Sequence, residues 1–199
     1  MCIRDSVNAF LIDERGRGLR ALGGDVVNAT TEPNKEIVIP AIPQMNRSGR
    51  PIGHALRLLV PGDLPAQISV ELISKKGTFV PVGLSERTLQ PGTVTEVNFD
   101  LELEPSTFAL KISSDRPVVG SVFSSTFAQG KSDFVWSTAT AQMSPYSLAV
   151  TGLAPVLSFT GERVSISLTV KFINKKEKKF EVSGEGIAAF RVPNNARTV

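Results

Sequence analysis

Few side chains in this sequence can do chemistry at neutral pH, and the first to weigh is His54, the only histidine among 199 residues. With a pKa near neutrality, an imidazole is the default general base or metal ligand. His54 lies beside Gly53 in a Pro/Gly-rich stretch, with no cysteine or carboxylate at a metal-ligand spacing. A structural or solvated ring is the favoured reading. Serines are abundant, as at Ser124 and Ser125, but a Ser-His-acid site would have to use this one histidine. No GxSxG elbow, HExxH helix, Gly-rich phosphate loop or CxxC pair occurs. The expectation is a non-enzyme, with no catalytic, cofactor-binding or metal-binding residue.

Three weaker constellations remain. Asp100, Glu102 and Glu104 alternate in DLELEP, so a strand would place all three on one face, as an acid/base pair, a cation site or a solvated surface. The solvated face is favoured, because Leu101 and Leu103 need burial. Trp136 and Tyr146 are the only Trp and Tyr and fall on adjacent expected strands. Aromatic platforms bind sugar rings, so these two are the candidate ligand-binding residues, although a lone Trp in a β-sandwich more often fills its core. Lys75-Lys76 and Lys175-Lys176, extended by Lys178 and Lys179, form either an anionic-polymer patch or hydrated hairpin tips that discourage edge pairing, and the second is favoured. Asn28-Ala29-Thr30 and Asn46-Arg47-Ser48 match the glycosylation acceptor pattern, which matters only in a host that glycosylates such sites.

Composition bounds the class. The net charge of +3 is small and the basic residues are scattered, so nucleic acid is not an expected partner. Cys2 is the only cysteine, which excludes an intramolecular disulfide and leaves the redox compartment open. No apolar run approaches the roughly 20 residues that span a bilayer. The opening MCIRDS looks like a translated sequencing-adapter artefact and is set aside, with the expectation that the true N-terminus, and with it a signal peptide or anchor, lies upstream. Membrane attachment would then come only through a segment absent from this chain.

The elements that must position these residues are strands. Gly, Pro, Val, Ile, Thr and Phe are common and helical spacing is missing, so the chain is expected to be all-β. ISVELISKKGTF at 68–79 is nearly rewritten as LTVKFINKKEKKF at 168–180, each copy alternating apolar and polar residues and stopping at paired lysines. Equating Val70 with Val170 gives modules of roughly 100 residues. Val7 to Ile12 reads as a strand, Asp13 to Gly18 as a hairpin turn, and Val26 to Thr30 and Ile37 to Ile39 as closing strands of a module whose beginning is not in the chain. Pro40 to Gly53 admits neither helix nor central strand.

Gln90-Pro91-Gly92-Thr93 suits a type II turn with Gly92 at positive φ. Strands around Val97 to Leu101 and Phe108 to Ile112 follow, then a turn at Ser113 to Pro117, then Val118 to Phe123, Val135 to Thr138 and Tyr146 to Val150. FRVPNNARTV at 190–199 aligns with TLQPGTVTEV at 88–97, placing Asn194 where Gly92 supplies the left-handed position. The expected organisation is therefore an artefact plus closing strands at 1–43, a linker at 44–53, a complete module at 54–152, and the first half of a repeated one at 153–199. The fold class is tandem immunoglobulin-like β-sandwich modules, the last one truncated and expected to be poorly stable alone.

The segments SVELISKKGTFVPVGL, TLQPGTVTEVNFDL, ALKISSDRPVVGSVF and DFVWST, in this order, resemble an uncharacterised actinobacterial family of envelope-associated proteins, domain of unknown function 5719. The shared motifs are turn and core positions, and they are loose at Gln90-Pro91-Gly92 and at Asn98 to Leu101. The resemblance implies an extracellular or cell-envelope location and supplies no catalytic residue. The expected role is a non-catalytic structural or interaction module of a secreted or envelope protein, with envelope polysaccharide or protein and the neighbouring modules of the same chain as partners. The alternative is a carbohydrate-binding module using Trp136 and Tyr146.

Overall fold

The structure, a computed structural model, describes residues 10–17, 20–28, 32–44, 46–47, 50–51, 53–101, 103, 106–128, 131–142 and 144–199. Among them the chain is all-β, as expected, with no helix. Met1 to Ser6, Glu102, Glu104, Thr30 and Ser48 lie outside the described residues.

The strands are β1 (Phe10–Arg17), β2 (Arg20–Asn28), β3 (Asn34–Gln44), β4 (Asn46–Arg47), β5 (Arg50–Pro51), β6 (His54–Leu59), β7 (Ala66–Ser74), β8 (Gly77–Phe79), β9 (Glu86–Leu89), β10 (Thr95–Phe99), β11 (Ser106–Ala128), β12 (Lys131–Thr138), β13 (Val156–Phe172), β14 (Glu177–Arg191) and β15 (Ala196–Thr198). Strands β1 and β2 form a hairpin, β4 and β5 a minimal ribbon, and β13 pairs with both β14 and β15. The other strands make one eight-stranded sheet organised on β11. The N-terminal half of β11 pairs with β3 and β7, and residues 119–128 pair with β6 and β12. A strand that passes from one set of partners to another lets a single sheet wrap around one core. Ile39, Leu58, Leu72, Phe108, Leu110 and Val122, drawn from β3, β6, β7 and both halves of β11, are all within 1% of complete burial in that core.

The opening repeat folds as its alternation requires. Ile68, Val70 and Leu72 are buried while Gln67 and Ser69 are exposed. Both lysine pairs sit in turns and are exposed. The two turns share one contact, Ser74 Oγ accepting from Lys76 N at 3.1 Å and Asn174 Oδ1 accepting from Lys176 N at 3.2 Å, but they differ in length: Ser74 pairs with Gly77 across two residues, whereas Lys171 pairs with Glu177 across five. Gly92 takes φ +66°, as its turn demands.

Several expectations are corrected by pairing partners. Asp13 to Arg17 continue β1 instead of turning. The stretch read as closing strands of a preceding module supplies β3, which joins the central sheet and puts Ile37, Ile39 and Ile42 in its core. The boundary drawn between 43 and 44 therefore cuts a strand. Strand β3 tolerates Pro40 and Pro43 because it lies beside only β11 and a single bridge from Val38 to Thr140, and because a bulge with Ala41 at φ +55° interrupts its register. The expected turn at Ser113 to Pro117 is a register shift inside β11, where the strand changes partners. Residues 148–150, expected to complete the central module, instead bond the third sheet: Leu148 N to Val199 O is 2.8 Å and Val150 N to Arg197 O is 2.9 Å. Asn194 does not adopt positive φ; the turn there closes with Ala196 N bonding Pro193 O at 3.0 Å. In the lysine turn of this unit the left-handed residue is Lys175, at φ +65°.

Candidate functional site

His54 opens β6, opposite Phe99 of β10 on one side and Ser124 of β11 on the other. The fold brings it to one of the two serines weighed from sequence. Ser124 Oγ lies 2.8 Å from Nδ1, and Nε2 lies 3.0 Å from Gln44 Oε1. Gln44 Nε2 in turn donates to the Leu101 carbonyl at 3.0 Å. The amide orientation sets the tautomer: Oε1 can only accept, so His54 carries its proton on Nε2, and Nδ1 accepts from the Ser124 hydroxyl. Every polar atom of the relay is thereby spent.

The three side chains are sealed in, with exposures of 1% for Gln44, 3% for His54 and 0% for Ser124. The imidazole stacks on Phe99 and meets Phe108 edge-on, both at 5.2 Å between centroids. A Ser-His-Gln relay could polarise a serine, but here the hydroxyl faces no solvent and the third member carries no charge to stabilise an imidazolium. Burial pushes the His54 pKa from 6.5 down to about 4, with the Asp100 carboxylate drawing it partly back up.

That shift has a sign. Between the two values the unfolded chain takes up a proton that the fold refuses, so the contribution of neutral His54 is fully present above pH 6.5 and is lost as pH falls towards 4. Urea titrations at about pH 7.5 and about pH 5 are expected to show a loss of roughly 2 kcal/mol from this group. His54→Gln is expected to flatten the difference.

Trp136 sits elsewhere. In the register β6-β11-β12, Arg57 pairs with Ser121 and Ser121 with Thr138, while Leu59 pairs with Val119 and Phe123 with Trp136. Directly opposed residues share a face, so Arg57, Leu59, Val119, Phe123, Phe134 and Trp136 lie together on the side away from the core. Outer faces of antiparallel sheets are usually polar. This one is covered at one end by the β1-β2 hairpin, whose inward residues are Leu11, Asp13 and Arg15 opposite Val27, Asp25 and Gly23.

The hairpin is fastened by charge. Asp25 Oδ2 accepts from Trp136 N at 2.6 Å, and Asp13 Oδ2 accepts from Trp136 Nε1 at 3.0 Å. The Arg15 guanidinium lies 4.6 Å from the ring centroids of both Phe123 and Phe134 and bonds Asp13 at 3.0 Å. These bonds from Arg15 and Trp136 hold the Asp13 carboxyl below its usual pKa. Beyond the hairpin the face opens into a groove of about 370 Å³ lined by Leu11, Val27, Arg57, Leu59, Val94, Val119, Ser121, Trp136 and Thr138.

The candidate aromatics Trp136 and Tyr146 make no ring contact with each other. Trp136 is half-buried under the hairpin, edge-on to Phe123 at 5.3 Å, whereas Tyr146 is 61% exposed in an irregular segment. Asp100 is exposed just past the end of β10, and its two companion glutamates lie outside the described residues. Among the described residues no group of three or more His, Cys, Asp or Glu could hold a metal ion. No helix there is long and apolar enough to cross a membrane. Sequence reasoning did not find Gln44, Asp13, Arg15, Asp25 or Arg57. The signal present for the hairpin was the spacing of Leu11, Asp13 and Arg15, which a strand would align on one face.

A family described as "Family of unknown function (DUF5719)" matches residues 5–184. The chain belongs to this family. The DUF5719 match takes in the hairpin, the central sheet, the His54 relay, the groove and most of β13 and β14. No curated protein matches the chain. Among solved structures, one titled "Crystal Structure of Thermotoga maritima 1070" is similar, with 14% identity and a TM-score of 0.42, over 55% of this chain and 96% of that one.

Proposed function

We propose that the chain is a non-catalytic structural or interaction module of a secreted or cell-envelope bacterial protein, built from tandem immunoglobulin-like β-sandwich modules. The observation that carries this reading is the His54 relay: the one imidazole of the chain and its serine are sealed in the core with every polar atom satisfied. Asp13, Arg15 and Asp25 of the hairpin are likewise engaged in fastening it. Location outside the cytoplasm rests on the resemblance to actinobacterial envelope-associated proteins, and the partners it brings are envelope polysaccharide or protein and neighbouring modules. The contact shared by the two lysine turns, a side-chain oxygen at 74 or 174 accepting from the amide at 76 or 176, supports a duplicated unit.

The test has two arms. Fractionation of host cells expressing the full-length gene should place the protein in the envelope or medium. The purified chain should turn over a chromogenic acyl ester no faster than Ser124→Ala does. A cytoplasmic protein, or an esterase activity abolished by Ser124→Ala, defeats the proposal. Retention on envelope polysaccharide that is lost in both Trp136→Ala and Tyr146→Ala would instead favour the carbohydrate-binding alternative.

A further inference from the structure

The groove beside Trp136 is the part of an apolar outer sheet face that the hairpin leaves uncovered. Its walls come from Leu11 and Val27 of the hairpin, Leu59 and Val119 of the sheet, and Val94 from the loop before β10. A volume of about 370 Å³ falls in the range of small-molecule sites and holds roughly a dozen water-sized groups.

Among the described residues of the lining, Arg57 is the one charged side chain. Its Nε is held by Glu96 at 2.7 Å and its guanidinium lies 4.9 Å from the Trp136 ring centroid, which fixes the group in place. The Nη amino groups donate to no described residue. A preorganised guanidinium with unused donors at the edge of an apolar trough matches a carboxylate attached to a hydrocarbon chain, the chain lying on the valines and leucines and the head on Nη. The hydroxyls of Ser121 and Thr138 are further polar groups of the lining.

We infer that this groove binds a straight-chain carboxylate of medium length, with Arg57 reading the head and the uncovered sheet face taking the chain. Because Trp136 is the only tryptophan, its emission reports on this site alone. Titration of the full chain with dodecanoate below its micellar concentration is expected to shift Trp136 emission saturably, with the far-ultraviolet circular dichroism unchanged. Dodecan-1-ol should bind about tenfold more weakly, a difference set by the charge-assisted bond to Arg57. Arg57→Gln should abolish that preference, and Val94→Phe, at a position already 58% exposed, should weaken both ligands by filling the trough. The inference is overturned by a response that does not saturate or that accompanies loss of strand signal. Equal affinity for acid and alcohol, or wild-type binding in either variant, also overturns it.

Discussion

Replacing Gln44 with leucine is expected to cost the fold about 3 kcal/mol, because it orphans two buried groups at once. The His54 Nε2–H loses its acceptor and the Leu101 carbonyl loses its donor, both in a pocket that water does not reach. Each such group carries a desolvation penalty of about 1–3 kcal/mol. Ser124→Ala removes a donor from a ring nitrogen that can only accept, so its cost is expected nearer the lower end of that range. Adding His54→Phe to the leucine variant should restore part of the loss, since a third phenyl ring fits between Phe99 and Phe108 and leaves no N–H to satisfy. Urea denaturation of the three variants measures the order. A relay kept for catalysis would show the reverse pattern, with Gln44→Leu and Ser124→Ala alike in stability and alike in lost turnover.

Gly186→Val should separate the β13-β14-β15 unit from the central sheet. Gly186 holds φ +71°, and a Cβ there would stand 2.5 Å from the Ser74 carbonyl oxygen and 3.1 Å from Ile73 Cγ2. The oxygen belongs to backbone at the head of the first lysine turn and cannot swing aside. A β-branched residue adds the left-handed penalty to the overpacking, for a total of roughly 2–5 kcal/mol. Among the described residues, the units meet through Ile187 against Ile73, Ala109 and Val38, and through an ion pair from Lys111 to Glu162 at 4.0 Å. An exposed ion pair of that length adds little. Limited proteolysis of the variant should therefore cut early near residues 144–147, before the segment that bonds β15, and release the C-terminal unit, while the central sheet persists. Gly161→Ala, at the residue directly opposite in the register, meets only ordinary contacts at 3.8 Å and serves as the control expected to be neutral.

What could be read from the sequence was what is local. The alternation at Ile68 to Leu72, the lysine turns and the left-handed Gly92 depend on residues a few positions apart, and the fold repeats them as written. Partner choice depends on residues far away and is not written in any local stretch. Residues 148–150 do run extended, but they bond residues 197–199 because the C-terminal unit offers an open edge beside β15. Ser113 to Pro117 has the polarity of a turn, yet β11 passes through it because that is where it exchanges β3 and β7 for β6.

Inverted polarity misled in the same way. Asp13 and Arg15 look like turn residues until the face they point towards is seen to carry Trp136, Phe123 and Phe134. The solitude of His54 in the sequence leaves a structural and a solvated ring both open, and its burial is not legible there, because Gln44 and Ser124 reach it only through the pairing of β6 with β11 and the course of β3. The groove was beyond reach for a similar reason. An apolar outer face is indistinguishable from a core face until the sheet has closed on its other side.

The central claim is that His54 is a neutral structural group, and one measurement addresses it directly. Since the chain has a single histidine, its ring nitrogens and carbons give one set of signals in an NMR titration. The expected result is an Nε2–H tautomer across neutral pH and no protonation of the folded protein until about pH 4. A ring that titrates near 6.5 in the folded state, or that carries its proton on Nδ1, would contradict it.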